Sequence, residues 1–186
     1  LPMCRGDDQS LPSEIIHKIT NFFTVEPVVS SEVVAARATS TDGRHDLQAC
    51  LDTSQSSWWL SSFGSMPKGR GEQYVEFQLS TKPRRLRSVS IEIPPLPMGP
   101  LSARTMRLDS KFGDTWRQVS PVWTVENKTG WQQYELYPPV DAQFVRVVCL
   151  TNQMAQFLRG GEDDQIPEPE VIPQFASVGY YCVKFE

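Results

Sequence analysis

From residue 33 onward, short segments of the chain alternate between apolar and polar side chains. In the clearest segment Val75, Phe77 and Leu79 point to one face of an extended strand, and the side chains between them point to the other. The pattern predicts strands at residues 33–38, 74–79, 86–93, 104–108, 117–123, 131–136, 144–150 and 178–185. Many short strands separated by turn residues are typical of sandwiches and jelly rolls. We therefore expect an all-β fold, a jelly-roll β-sandwich.

The first part of the chain has a different period. Its apolar residues recur at helical spacing on one face, namely Ile15, Ile16, Ile19, Phe22 and Phe23. This predicts a short N-terminal amphipathic helix that packs on the sandwich. Residues 1–27 are then the N-terminal tail and helix, and residues 28–186 are the sandwich.

Two connections differ in composition from the predicted strands. Residues 94–100 hold four prolines, which cannot pair in a sheet, so a rigid loop is expected there. Residues 152–175 are polar, acidic and proline-containing, and they predict a long flexible loop.

Length and charge limit the function classes. The 186 residues suit one domain, and their 39% hydrophobic content supplies a core. The net charge of −4 lacks the basic excess of a nucleic-acid binder. A cluster of basic residues at Lys82, Arg84, Arg85 and Arg87 is expected to be a solvated strand end. No apolar run approaches the roughly 18 residues that span a bilayer. We therefore expect no membrane partner and, because of the net charge, no nucleic-acid partner. We also expect the domain to be monomeric.

The four cysteines leave two alternatives open. Cys50 and Cys149 fall at positions expected to be buried, which favours reduced thiols and a location in the cytoplasm or nucleus. Alternatively, a Cys4–Cys182 disulfide would tie the two ends together in a secreted domain.

Catalytic and metal-binding patterns are absent from the sequence. Histidine, the commonest general base, occurs only at His17 and His45, and no Gly-x-Ser-x-Gly motif frames a serine. Asp52 is followed by Thr53 and Ser54, which offer no second carboxylate for a hard cation that takes six to eight oxygen ligands. We expect a non-catalytic domain with no cofactor and no metal.

The tryptophans are the candidate binding residues. Trp58 and Trp59 are adjacent, so in an extended segment one would face the core and the other the rim. We expect Trp59 to be a core residue, Trp58 to be core or ligand-binding, and Trp131 to be structural. Tryptophan suits a binding site because it brings a large contact area at little entropic cost.

The order of these motifs resembles the galactose-binding-like β-sandwiches. Asp46-Leu-Gln-Ala-Cys-Leu-Asp52 followed by Trp58-Trp59 is similar to the opening of discoidin or coagulation-factor C-type domains. Within that superfamily the chain resembles the DOC domain of the anaphase-promoting complex and of cullin- and HECT-type ubiquitin ligases. Four segments carry this narrower resemblance, at residues 51–65, 102–108, 125–136 and 144–153. Gln153 stands where the DOC pattern has a histidine.

The resemblance implies a substrate- or partner-recognition domain of a ubiquitin ligase, with peptide segments of its substrates bound at the loop end of the jelly roll. The implied ligand-binding residues are Trp58, Ser61, Ser62, Ser65, Ser102, Arg104, Asn152 and Gln153. Arg104 or Arg107 would be available for an acidic group of the ligand. The alternative is a secreted discoidin-type module that binds carbohydrate or lipid, with Asn127-Lys128-Thr129 as a glycosylation acceptor.

Overall fold

A computed structural model describes residues 25–43, 46–53, 58–67, 70–95, 99–156 and 177–186. The predicted N-terminal helix, His45, Cys4 and nearly all of the predicted loop at 152–175 lie outside the described residues. The predictions made for those segments therefore stay predictions.

The larger sheet contains six antiparallel strands. Its path is β1 (Val34–Ala38), β3 (Arg70–Gln78), β9 (Phe144–Asn152), β5 (Ala103–Phe112) and β6 (Thr115–Gln118), and β7 (Trp123–Thr124) also pairs with β5. The alternation predicted for residues 74–79 and 144–150 is confirmed, because Val75 and Phe77 are buried beside Val145 and Val147.

The opposing layer is smaller. Strands β11 (Cys182–Phe185), β4 (Arg84–Ile93) and β8 (Gly130–Ala142) form a three-stranded sheet, and β2 (Trp59–Leu60) pairs with β10 (Gly179–Tyr180). Short 3₁₀ helices lie at Ser30–Glu32, Leu47–Leu51, Gly99–Leu101 and Gln153–Gln156. The two layers meet in one apolar core, where the rings of Phe77 and Phe185 pack edge to face with centroids 4.8 Å apart. The all-β sandwich predicted from the sequence is thus the observed fold.

Three predicted strands differ from the observed ones. The segment 178–185 is divided at Tyr181 between β10, which pairs with β2, and β11, which pairs with β4. The segment 117–123 is not one strand, because it is divided between β6 and β7 on either side of Pro121. The strand expected at 131–136 continues to Ala142 through Pro138 and Pro139. It does so by a bulge: Ser88 faces Glu135 and Leu86 faces Val140, so residues 136–139 all oppose Arg87. A bulge accommodates proline because it removes residues from the hydrogen-bonded ladder.

Charged residues on the outer faces are paired with each other. Arg84 contacts Glu26 and Glu32, and Arg85 donates two hydrogen bonds to Asp141, of 2.8 and 2.9 Å. These ion pairs neutralise part of the basic cluster, and the Arg84 side chain, only 14% exposed, is less solvated than the sequence predicted.

A second charged group crosses the larger sheet. The guanidinium carbon of Arg146 lies 4.1 Å from the ring centroid of Tyr74 and 3.8 Å from that of Trp116. The same guanidinium donates to Glu76 at 3.2 and 3.3 Å. Because a planar guanidinium stacks on aromatic rings and bonds a carboxylate at once, it joins three strands on this face.

Candidate functional site

The segments that hold the residues predicted to bind a ligand lie at one end of the sandwich. Here β3 and β5 begin, β9 ends, and β2 runs antiparallel to β10. The segment Ser61–Ser65, the turn before Ser102 and the Asn152–Gln153 corner are joined here by hydrogen bonds through residues 177–179. The structure therefore brings the predicted loops together at a single end.

The serines and the asparagine act as a framework for this end. The Ser61 hydroxyl lies 2.7 Å from the Ser65 hydroxyl and accepts a 2.9 Å hydrogen bond from the backbone N–H of Val178. Asn152 Nδ2 donates to the carbonyl of Ser177 at 2.8 Å, and the hydroxyl of Ser177 donates to the carbonyl of Ser62 at 3.2 Å. These bonds tie the last described segment to the loop after β2, more than a hundred residues earlier in the chain.

Gln153 performs a similar role on the neighbouring corner. Its Nε2 donates to the carbonyls of Ala103 at 3.0 Å and Val125 at 3.1 Å, and its backbone N–H donates to the carbonyl of Ser102 at 2.9 Å. The side chain is 1% exposed. Both of its amide hydrogens are thus used inside the protein.

Four of the nominated ligand residues do not reach solvent. Ser61, Ser102, Asn152 and Gln153 are all at most 3% exposed. The polarity that suggested a binding loop in the sequence serves to satisfy buried backbone groups, which cost free energy when left unpaired. Ser62 and Ser65 are half-buried, and their hydroxyls contact the carbonyl of Thr41 and the hydroxyl of Ser61.

The two arginines nominated for an acidic ligand group have different surroundings. Arg107 donates to Asp109 and also contacts Glu72, and its hydrogen bond to Asp109 is the main cause of its raised pKa. Its charge is therefore already matched, contrary to the expectation that it stands available. Arg104 is half-buried at the start of β5, with its carbonyl accepting from the N–H of Val125.

Two stacked aromatic pairs flank the β2–β10 ladder. Trp59 pairs with Tyr180 in the strand register, and their rings are stacked with centroids 5.7 Å apart in the core. One residue further out, Trp58 stacks on Tyr181 with centroids 6.1 Å apart and 20° between the ring planes. The prediction that one tryptophan faces the core and its neighbour the rim is confirmed. Trp131, expected to be structural, is 41% exposed on the outer face of the smaller sheet, with the Lys184 ammonium 3.9 Å from its ring centroid.

The outer aromatic pair lines a shallow cleft. The cleft is open to solvent, and it is lined by Trp58, Tyr181, Pro94, Leu101, Ser102 and Gly179. The walls are therefore mostly apolar, with a hydroxyl-bearing residue and a peptide backbone among them. Tyr181 and Pro94 were not nominated from the sequence, although the adjacent Tyr180 and Tyr181 repeat the pattern of Trp58 and Trp59.

Three cysteines are described, and all three are buried free thiols. Burial raises the pKa of Cys50 and of Cys149 far above the usual range, and it raises that of Cys182 to about 11. A thiol with so high a pKa is a poor nucleophile at neutral pH. Among the described residues, none of these thiols is suited to covalent catalysis.

No set of three histidine, cysteine or acidic side chains is arranged to hold a metal ion in the described part of the chain. No described helix is long and apolar enough to cross a membrane.

No family model matches the chain, and no curated protein matches it either. Solved structures share its fold. The family 32 carbohydrate-binding module of NanJ from C. perfringens, solved with galactose, superposes with a TM-score of 0.62 at 16% identity, over 86% of this chain and 97% of that one.

Two further structures give the same picture. An F5/8 type C domain from Bacteroides fragilis has a TM-score of 0.60 at 15% identity, over 86% of this chain and 94% of that one. A chitosan-binding module from Paenibacillus sp. IK-5 has a TM-score of 0.55 at 14% identity, over 83% and 95%. At these identities the comparison concerns the fold alone, and the chain shares the β-sandwich fold of these modules.

Proposed function

We propose that this domain is a non-catalytic carbohydrate-binding module whose ligand contacts the cleft beside Trp58 and Tyr181. The observation that carries the proposal is the stacked pair of half-buried aromatic rings at the loop end of the sandwich. The fold shared with modules solved as galactose- and chitosan-binding proteins supports it.

The chemistry of the cleft suits a sugar. A sugar ring has an apolar C–H face and a rim of hydroxyl groups, and an aromatic side chain covers the first at little entropic cost. The backbone of Gly179 lies at the same cleft, and peptide groups are of the kind that bonds hydroxyls. Sites of this type combine apolar walls with a few polar groups that fix the orientation of the ligand.

The size of the cleft limits the ligand. It is a shallow depression open to solvent and does not enclose a ligand, unlike the pockets of about 300–1,000 Å³ that bury drug-sized molecules. A terminal sugar or one unit of a chain would lie against the aromatic pair, with the remainder in solvent. Several copies of the domain acting together would raise the apparent affinity without new contacts.

The peptide-recognition role in a ubiquitin ligase, implied by the DOC resemblance, is the competing hypothesis. Four of the eight residues it requires are buried, and the Arg107 charge is matched within the protein. Of the four that are not buried, Trp58 lines the aromatic cleft, whereas Ser62, Ser65 and Arg104 do not. The two hypotheses therefore share Trp58 and differ in ligand class.

A glycan array followed by calorimetry tests the proposal. The calorimetric probes are galactose, GalNAc-β-1,3-galactose and a chitosan oligosaccharide. Trp58→Ala should lower the affinity for the selected sugar at least tenfold, about 1.4 kcal/mol, as truncation of an aromatic hot spot does. Trp131→Ala is the matched control, because it removes an exposed tryptophan that does not line the cleft, and its affinity should equal that of the wild type.

A second variant protects the test against misfolding. Tyr181→Ala removes the other ring of the stack and should weaken binding in the same direction as Trp58→Ala. Cooperative thermal unfolding of both variants verifies that they fold. An array without binding, or binding that both variants retain, would refute the proposal. Peptide binding that depends on Trp58, found on a blank glycan array, would establish the competing hypothesis instead.

A further inference from the structure

The chain contains a single Asn-x-Ser/Thr sequence, Asn127-Lys128-Thr129. It lies in the turn between β7 and β8, and all three side chains are exposed. An asparagine in this sequence accepts an N-linked glycan when it lies on an accessible surface turn and the middle residue is not proline. The first requirement, accessibility, is met by the fold.

The turn is held from beneath by one side chain. Gln132 Oε1 accepts from the backbone N–H of Glu126 at 2.9 Å, and its Nε2 donates to the carbonyls of Glu126 at 2.8 Å and Lys128 at 3.3 Å. The backbone polar groups on either side of Asn127 are thereby satisfied from the strand. The turn does not depend on the Asn127 amide for these bonds, so the amide can be modified while they remain.

The neighbours of Asn127 place it at one end of the sandwich. Thr129 is followed by Gly130, whose φ of +111° lets the chain leave the turn, and an added Cβ at Gly130 would meet no atom within 4 Å. The Asn127 side chain borders the Gly99–Leu101 turn: a Cβ added to Gly99 would lie 3.8 Å from Asn127 Oδ1. Since Leu101 and Ser102 line the aromatic cleft, Asn127 lies at the same end of the sandwich.

We infer that Asn127 is an N-glycosylation acceptor used when the chain passes through a secretory pathway. The donor is a polyprenyl-diphosphate-linked oligosaccharide. Asn127 Nδ2 attacks the anomeric carbon, the bond from that carbon to the phosphate oxygen breaks, and the N–C bond forms. The lipid diphosphate leaves with the electron pair, Nδ2 gives up one proton, and nothing is oxidised or reduced.

This inference stands apart from carbohydrate binding by the cleft. It requires a secretory location in place of the cytoplasmic or nuclear one that the thiols favoured. Burial of Cys50, Cys149 and Cys182 is compatible with an oxidising compartment, because it withholds them from exchange with other thiols.

Secretion from a eukaryotic cell tests the inference. The full 186-residue chain is fused to a cleavable signal sequence, and the intact mass of the secreted protein is measured before and after peptide-N-glycosidase F. The wild type should carry one glycan, with Asn127 converted to aspartate after release. Thr129→Ala should lose the glycan completely, whereas Thr129→Ser and Lys128→Ala should keep it.

The variants separate modification from folding. Thr129→Ala should be secreted and unfold cooperatively like the wild type, because Thr129 is exposed and the turn is held by Gln132. Secreted, folded wild-type protein with the mass of the bare chain would overturn the inference. So would a glycan that persists in Thr129→Ala, since the acceptor would then lie elsewhere. Neither result would bear on sugar binding by unmodified protein from bacteria.

Discussion

Replacing Gln153 by leucine would separate a framework role from a ligand role. Leucine keeps the approximate volume but removes both amide hydrogens that bond the carbonyls of Ala103 and Val125. Each bond contributes about 1 kcal/mol net, and a buried polar group left unpaired costs about 1–3 kcal/mol. The added apolar burial offsets part of this loss. We expect Gln153→Leu to lower the free energy of unfolding by about 2–4 kcal/mol, a large share of the roughly 5–15 kcal/mol of a typical domain.

Urea unfolding, followed by tryptophan fluorescence, measures this change. The melting temperature should fall by roughly 5–15 °C for a domain of this size. Gln133→Leu is the matched control, because Gln133 also donates two hydrogen bonds, to Ser88 and Glu135, but from an exposed position. Its effect should be within about 0.5 kcal/mol. If both variants were equally stable, Gln153 would not be the buried donor described here.

Two further changes address the outer face of the sandwich and its thiols. Arg146→Lys should lower the free energy of unfolding in urea by about 1 kcal/mol, since an ammonium cannot stack between two rings and bond a carboxylate as a guanidinium does. The control is Arg117→Lys, which should be nearly neutral because Arg117 contacts a single ring, at 5.7 Å. Equal losses in the two variants would contradict this. The three buried thiols should be inert to Ellman's reagent in the folded protein and reactive once it is unfolded, and rapid native reaction would contradict their burial. Because burial raises the pKa values of these thiols, they lose their protons in the unfolded state first, as the pH rises above about 8.5. The free energy of unfolding should therefore fall from that pH toward alkaline pH. A free energy of unfolding that is constant or rises in that range would contradict the raised pKa values.

The fold could be predicted from the sequence because apolar residues at every second position indicate a strand with one buried face. Val75 and Phe77 were assigned to the core face on this ground, and they lie there. The division at Pro121 and the continuation of β8 through Pro138 were missed. Local propensity predicts that a strand ends at proline. A bulge in β8, opposite the neighbouring strand β4, allows the strand to continue through proline.

The site was only partly accessible. The sequence nominated Trp58 because adjacent tryptophans in an extended segment must face opposite ways. It could not supply Tyr181, because that contact is made by the register of β2 against β10, far apart in the chain. Asn152 and Gln153 were predicted to bind the ligand, yet both are buried. Residue type alone does not distinguish a polar side chain that bonds buried backbone groups from one that binds a ligand.

The most direct test of the account follows the tryptophan side chains during a sugar titration. The chain has five tryptophans, so a ¹⁵N-labelled sample gives five indole N–H signals in a two-dimensional NMR spectrum, each assigned by single substitution. Titration with galactose or GalNAc-β-1,3-galactose should shift the Trp58 signal in a saturable way and leave that of Trp131 unchanged. Signals that do not move with any sugar selected on the array, or shifts confined to tryptophans other than Trp58, would contradict the account.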